Sequence, residues 1–111
     1  METSYKFGKV GIVCSSVEFG DDKVSFKNLF ETENGGVSLI AMKKGQKLDT
    51  HTTPFEVMLM VGEGMIEFTM LDKPNRIDAG QFILMGANVA HSIKALVDSK
   101  MMLIKVKGPK I

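Results

Sequence analysis

The chain has 111 residues, of which 44% are hydrophobic and 24% are charged. This length fits one domain, and the composition is typical of a folded globular protein and excludes a disordered chain. Fourteen basic residues oppose thirteen acidic ones, and the formal charge of +1 provides no field that would attract nucleic acid or anionic lipid. We therefore expect a local site for a small molecule, with neither nucleic acid nor membrane as a partner.

The sequence carries no signal for export or membrane insertion. No stretch approaches the roughly 18 consecutive apolar residues that a membrane helix requires. The start of the chain, residues 1–11, lacks the continuous apolar segment of a signal peptide. The single cysteine, Cys14, has no partner for an intramolecular disulfide and no cationic neighbour in sequence that would activate a thiol. We expect a cytoplasmic protein.

Short runs of strand-forming residues, separated by Gly, Asn, Asp and Pro clusters, predict β-strands along the whole chain. In chain order the predicted strands are Lys9–Val13, Lys23–Leu29, Gly36–Met42, Phe55–Val61, Met65–Leu71, Gln81–Met85, His91–Leu96 and Met101–Val106. Helical periodicity is nearly absent. About eight short strands at this spacing predict an all-β fold, an antiparallel sandwich or barrel of the jelly-roll kind. Lys105, Lys107 and Lys110 near the end of the chain are interpreted as solvated surface charge.

Residues 45–64 contain glycines and a histidine at a distinctive spacing. Gly45 is followed after five residues by His51, and the segment ends at Gly64. This segment resembles the first motif of the cupin family, G(x)5HxH(x)3,4E(x)6G. In that alignment Thr53 stands at the second histidine and Val57 at the glutamate. The frame of the motif is kept while two of its metal-ligand positions differ.

Residues 80–95 resemble the second cupin motif, G(x)5PxG(x)2H(x)3N. Gly80 and His91 fall in register with it. Gly86, Asn88 and Ala95 stand at the proline, the second glycine and the asparagine of the motif. Asparagine is a mild replacement for glycine because it also tolerates a left-handed backbone in a turn. Both motifs in this order make the resemblance specific.

The resemblance implies a single cupin domain over residues 1–111, an RmlC-like double-stranded β-helix or jelly-roll barrel. Alternate residues of a strand share a face, and the resemblance makes the face of His51 and Val57 the barrel interior. The residues that we assign to an internal ligand pocket are His51, Thr53, Val57, Leu59, Phe82, Leu84, His91 and Ile93. Met58 and Met60 face outward, and because similar cupins pair through such a face, we expect a homodimer.

Metal binding is the central question for this pocket. In cupins that bind a metal, the resemblance implies three ligands from the first motif and one histidine from the second, and only His51 and His91 match here. Glu56 becomes a third ligand if a bulge at Pro54 turns it inward. Two imidazoles without a carboxylate do not identify a cofactor. They predict at most a weakly bound divalent transition metal, such as Zn, Ni, Fe, Mn or Cu.

Three functions remain open at this stage. In the first, the barrel binds a small, largely apolar organic ligand, with a carboxylate or carbonyl directed at the two histidines. In the second, the protein is a metal-dependent enzyme of the dioxygenase or isomerase type that uses His51 and His91. In the third, the barrel is a structural or interaction module whose vestigial pocket is filled with side chains. If no metal is bound, two roles remain for the histidines. They are polar groups hydrogen-bonded to backbone or water, or they act as a catalytic acid and base.

Overall fold

Two antiparallel β-sheets form the computed structural model, which describes residues 7–107. The strands are β1 (Ser25–Thr32), β2 (Gly35–Met42), β3 (Lys47–His51), β4 (Phe55–Glu63), β5 (Met65–Met70), β6 (Lys73–Asp78), β7 (Phe82–Met85), β8 (His91–Ala95) and β9 (Ser99–Lys107). One sheet has the order β1-β2-β9-β4-β7 and the other has the order β3-β8-β5-β6. The predicted all-β jelly-roll fold is confirmed. The ends of the predicted domain, residues 1–6 and 108–111 with Lys110, lie outside the described residues.

Between residues 7 and 107 the single helical element is a three-residue 3₁₀ turn, Val13–Ser15. No helix in this range is long or apolar enough to cross a membrane.

The core lies between the two sheets and follows the alternation of the strands. On β4 the side chains of Val57, Leu59 and Val61 are buried, whereas Met58 and Met60 between them are only half-buried. The main cluster also includes buried residues of β2, β5, β6, β7, β8 and β9, namely Ile40, Met42, Ile66, Phe68, Ile77, Met85, Ile93, Ala95 and Met101. Removal of this apolar surface from water is the main source of stability for the barrel.

The prediction of a strand at Lys9–Val13 is wrong. Residues 9–12 are not paired with any strand, and Val13 begins the 3₁₀ turn. The strand-forming residues Val10 and Ile12 are largely exposed. A strand needs a neighbouring strand to accept and donate its backbone hydrogen bonds, and this segment has none beside it. It runs instead along the outer face of β1, where the Phe7 and Phe30 ring centroids are 6.4 Å apart.

Two strands, β3 and β6, are absent from the sequence prediction. They are the two edges of the four-stranded sheet. Strand β3 is mostly exposed and polar, and β6 contains Pro74 together with charged residues. Edge strands tolerate proline and charge because one side of their backbone has no partner strand, so neither strand shows the apolar alternation of a buried one.

Candidate functional site

A cavity of about 310 Å³ lies between the two sheets. Its lining residues are Phe26, Ile40, Leu48, His51, Thr52, Thr53, Val57, Leu59, Phe68, His91, Ile93, Leu103 and Lys105. Most of these side chains are apolar, and the polar ones are two histidines, two threonines and one lysine. Ligand pockets in proteins commonly measure roughly 300–1,000 Å³ and have this mixture of apolar walls and few polar groups. The cavity is therefore large enough for one small organic molecule.

Six of the eight predicted pocket residues line this cavity: His51, Thr53, Val57, Leu59, His91 and Ile93. They come from three strands, β3, β4 and β8, and the β3–β4 connection, so the fold brings together residues that are up to 42 positions apart in sequence.

The other two predicted pocket residues, Phe82 and Leu84, point away from the cavity, and their assignment to it is wrong. Their side chains are 58% and 64% exposed. Residues directly opposed in an antiparallel pair share a face of the sheet, and the register of β7 opposes Leu84 to Met58 and Phe82 to Met60. The sequence of β7 is apolar at all four positions, so alternation could not reveal which residues face inward.

The two histidines are neighbours across the β3–β8 pair. His51 ends β3, His91 begins β8, and the two residues are directly opposed in the ladder. Their ring centroids are 4.2 Å apart, with the ring planes at 56°. The His91 side chain is buried and stacks on the Phe68 ring, with centroids 5.6 Å apart, whereas His51 is exposed. The pair thus runs from the protein interior to the solvent.

Backbone carbonyl groups set the same tautomer in both rings. The Nδ1 atom of His51 is 2.9 Å from the carbonyl oxygen of Asp49, and that of His91 is 3.0 Å from the carbonyl oxygen of Val89. Because a carbonyl oxygen only accepts, each Nδ1 carries the hydrogen, and each neutral ring keeps a lone pair on Nε2. His91 lines the cavity, and within residues 7–107 no fully buried side-chain nitrogen or oxygen lacks a hydrogen-bond partner.

Burial keeps His91 neutral at physiological pH. Desolvation is the largest effect and lowers the pKa of His91, while its hydrogen bond to Val89 partly opposes this and the neighbouring His51 lowers the pKa further. A neutral imidazole in this tautomer offers the cavity a hydrogen-bond acceptor. This end of the cavity is therefore suited to a hydroxyl or an N–H group.

Sequence reasoning missed seven of the thirteen lining residues, and among these it assigned Lys105 to the solvated surface. On β9 it is directly opposed to Val57 of β4 and to Gly36 of β2, so it shares the inner face of the sheet with Val57. Its side chain is half-buried, and its Nζ atom lies 5.2 Å from the centroid of the Phe55 ring. The alternation of Met101, Leu103 and Lys105 on β9 was the signal that could have found it.

The donor set around the histidines does not fit a complete metal site. Within residues 7–107 no three His, Cys, Asp or Glu side chains come together. The assignment of Glu56 as a third ligand is wrong, because the register of β4 is continuous from Phe55 to Val61 and leaves Glu56 exposed on the outer face. Thr53 and Val57 do line the cavity, but valine has no donor atom. Two imidazoles are too few to enclose a divalent metal.

The loop between β7 and β8 is tied to the edge of the cavity. The backbone N–H of Asn88 donates to the carbonyl oxygen of Thr53 over 2.7 Å. Asn88 has a φ of 64°, in the left-handed region, as predicted for an asparagine in place of the motif glycine. This contact keeps the loop that precedes His91 beside the chain that follows His51.

No family model matches the chain, and no curated protein matches it. Solved structures match it well. A conserved protein of unknown function from Streptococcus pyogenes has a TM-score of 0.89 and 25% identity, with 99% of this chain and 98% of that chain covered. A cupin superfamily protein from Desulfitobacterium hafniense has a TM-score of 0.85 and 16% identity over 93% of this chain and 94% of that chain.

A cupin 2 conserved barrel domain protein from Leptotrichia buccalis has a TM-score of 0.81 and 28% identity over 85% of this chain. The match covers 46% of that protein, so the present chain spans about half of its length. All three structures share the two-sheet barrel described above.

Proposed function

We propose that this chain, a small protein of the cupin superfamily by its structural neighbours, binds a small and largely apolar organic molecule in its internal cavity. The observation that supports this proposal is the cavity of about 310 Å³ with mostly apolar walls. An empty space of this size deprives its lining side chains of contacts that a ligand would restore. The fold by itself carries no activity, so the proposal depends on the cavity.

The histidine pair indicates which chemical group of the ligand lies next to it. Both free Nε2 atoms carry lone pairs, so they accept hydrogen bonds from a hydroxyl or an N–H group. An ionised carboxylate also only accepts, and it would need a protonated ring, which burial disfavours at His91. Next to the two histidines, a hydrogen-bond donor of the ligand therefore fits better than the carboxylate that the sequence placed there.

A pair of variants on neighbouring residues of β4 tests the proposal. Val57→Phe fills part of the cavity, whereas Met58→Phe adds the same ring on the outer face and leaves the cavity unchanged. We expect hexan-1-ol, used as a neutral probe, to shift the methyl resonances of Leu59 and Ile93 in the parent and in Met58→Phe. In Val57→Phe these shifts should be lost. Equal binding to both variants would locate the probe outside the cavity and contradict the proposal.

A metal-dependent enzyme is the second candidate, and the fixed tautomers of the two histidines favour it. Histidines that ligate a metal usually donate their other ring nitrogen to a backbone carbonyl or carboxylate, as both rings do here. Two ligands should hold a metal only weakly. We expect protein purified without a histidine tag to carry substoichiometric metal that a chelator removes without unfolding. One metal per chain that survives the chelator would instead favour the enzyme.

A further inference from the structure

We propose that the ligand of this cavity is an organic anion, a small carboxylate whose apolar part fills the cavity and whose charged end pairs with Lys105. This inference rests on the proposed function and adds the chemical class of the ligand.

The first observation is the charge of the cavity wall. Lys105 is the one residue of the lining that is permanently charged at neutral pH, and no aspartate or glutamate belongs to the lining. The two histidines of the lining are neutral or cationic and never carry a negative charge, so no lining side chain opposes the charge of Lys105. The cavity therefore has a positive end and no negative one, and this arrangement attracts an anion and repels a cation.

The second observation is that Lys105 has no carboxylate partner among residues 7–107. The ion pairs between residues 7 and 107 are Lys43–Asp21, Arg76–Asp78 and Lys100–Glu63. Glu31 lies in the same register as Lys105, but β2 separates their strands, so about 10 Å lie between the two backbones and no ion pair forms. The Lys105 side chain is half-buried at the cavity, and its positive charge is not balanced by a carboxylate of the described residues.

The ring of Phe55 contacts the ammonium group of Lys105 from one side and leaves its other sides available to an anion. The Lys105 Nζ atom lies over one face of the ring, at 5.2 Å from its centroid. A cation–π contact of this kind leaves the remaining N–H donors of the ammonium group unused. A carboxylate at the cavity would accept these donors and form a charge-assisted hydrogen bond, the strong kind in proteins.

A purely structural role for Lys105 makes a different prediction. In that role its methylene stem covers apolar surface beside Val57, and the ammonium group merely reaches water. Lys105→Met keeps a long apolar stem and removes the charge, so it separates the two roles. Lys107→Met is the matched control, because Lys107 lies two residues further along β9, is exposed, and does not line the cavity.

The experiment compares hexanoate with hexan-1-ol, which have the same chain length and differ in charge. Binding is followed by the methyl resonances of Val57, Leu59 and Ile93 at about pH 8, where carboxylates are ionised and histidines are neutral. We expect the parent to prefer hexanoate. Lys105→Met should weaken hexanoate binding about tenfold and leave hexan-1-ol binding unchanged. Lys105→Arg should retain the preference, and Lys107→Met should behave as the parent does.

The outcomes separate the two proposals. If hexan-1-ol binds in the cavity while Lys105→Met leaves the ratio of the two affinities unchanged, the anion inference is overturned and the proposed function stands. If neither probe shifts the cavity resonances in the parent, the proposed function fails and this inference fails with it.

Discussion

The two faces of β4 show how one strand contributes to two different surfaces. Its inward residues, Val57 and Leu59, close a cavity with a few polar groups. Its outward residues, Met58 and Met60, belong to an outer apolar patch that continues onto β7 and β9. This patch consists of Met58, Met60, Phe82, Leu84, Ile104 and Val106. The inner surface is shaped for a small molecule, whereas the outer one is open and suits a protein surface.

The outer face is itself divided into a covered half and an uncovered half. Over β2, Val17 and Phe19 from the segment after the 3₁₀ turn pack against Leu39 and Ala41. Over β4, β7 and β9, nothing between residues 7 and 107 covers the outer apolar patch, and Leu84 is 64% exposed. Exposed apolar patches of this kind mark interaction sites. We propose that a second copy of the chain covers the patch and forms a homodimer.

The largest difference in stability between inward and outward substitutions on β4 should come from an introduced carboxylate. Thr53→His with Val57→Glu adds two donors to the cavity beside His51 and His91, and an unpartnered buried carboxylate should cost about 3–5 kcal/mol of unfolding free energy. Because ligand count then suits a divalent metal, nickel, manganese or zinc should restore the stability. Thermal unfolding with and without metal measures both effects.

Two further variants control this experiment. Thr53→His with Met58→Glu places the carboxylate on the outer face and should gain no such metal binding. Adding His91→Ala to the cavity variant should abolish the metal effect. Metal stabilisation that persists without His91 would show that the four positions do not surround one point.

Truncation at neighbouring positions compares the packing of the two faces. Leu59 is fully buried, so Leu59→Ala should lower the free energy of unfolding by about 2–4 kcal/mol through lost burial and the space left behind. Met60 is half-buried, so Met60→Ala should lower it by about 1 kcal/mol or less. Urea denaturation monitored by circular dichroism gives both values. Equal losses would mean that the outer face is as enclosed as the inner one.

Charges on the outer patch test the homodimer. Met58→Lys with Met60→Lys places two cations on the patch, and their desolvation at an interface should weaken dimerisation by at least about tenfold, or 1.4 kcal/mol. Light scattering at micromolar concentration should show a dimer for the parent and a monomer for the variant. Lys27→Met, the control, removes a charge from β1, outside the patch, and should leave the dimer intact. A monomeric parent would contradict the proposal.

The smallest effect concerns the pH dependence of stability. Because the pKa of His91 is lowered in the folded state, the unfolded chain takes up its proton first as the pH falls. Stability should therefore decrease as the pH falls below about 6.5, the ordinary histidine value, and this contribution should level off below the folded pKa. His91→Gln should remove this part of the pH dependence. An NMR titration of His91 at or above the ordinary value would contradict the explanation.

The sequence by itself determined the all-β class and the inward face of β4. On β4 the inward valines and leucine are buried while Met58 and Met60 are not, so the partition by alternation is correct there. The motif spacing predicted that His51 and His91 belong to one site, and in the barrel their rings are adjacent. These features could be predicted because they depend on local periodicity and on a resemblance that spans residues 45–95.

Only the tertiary structure decided the remaining features, because each depends on which distant strand lies alongside. The outward direction of Phe82 and Leu84 follows from the register of β7 against β4, and four consecutive apolar residues contain no alternation from which to read it. Because β3 and β6 are edge strands, they tolerate polar residues and lack the apolar alternation from which strands are predicted. Lys105 lies at the cavity because β9 pairs with both β2 and β4, which turns its inner face toward residues about fifty positions earlier in the chain.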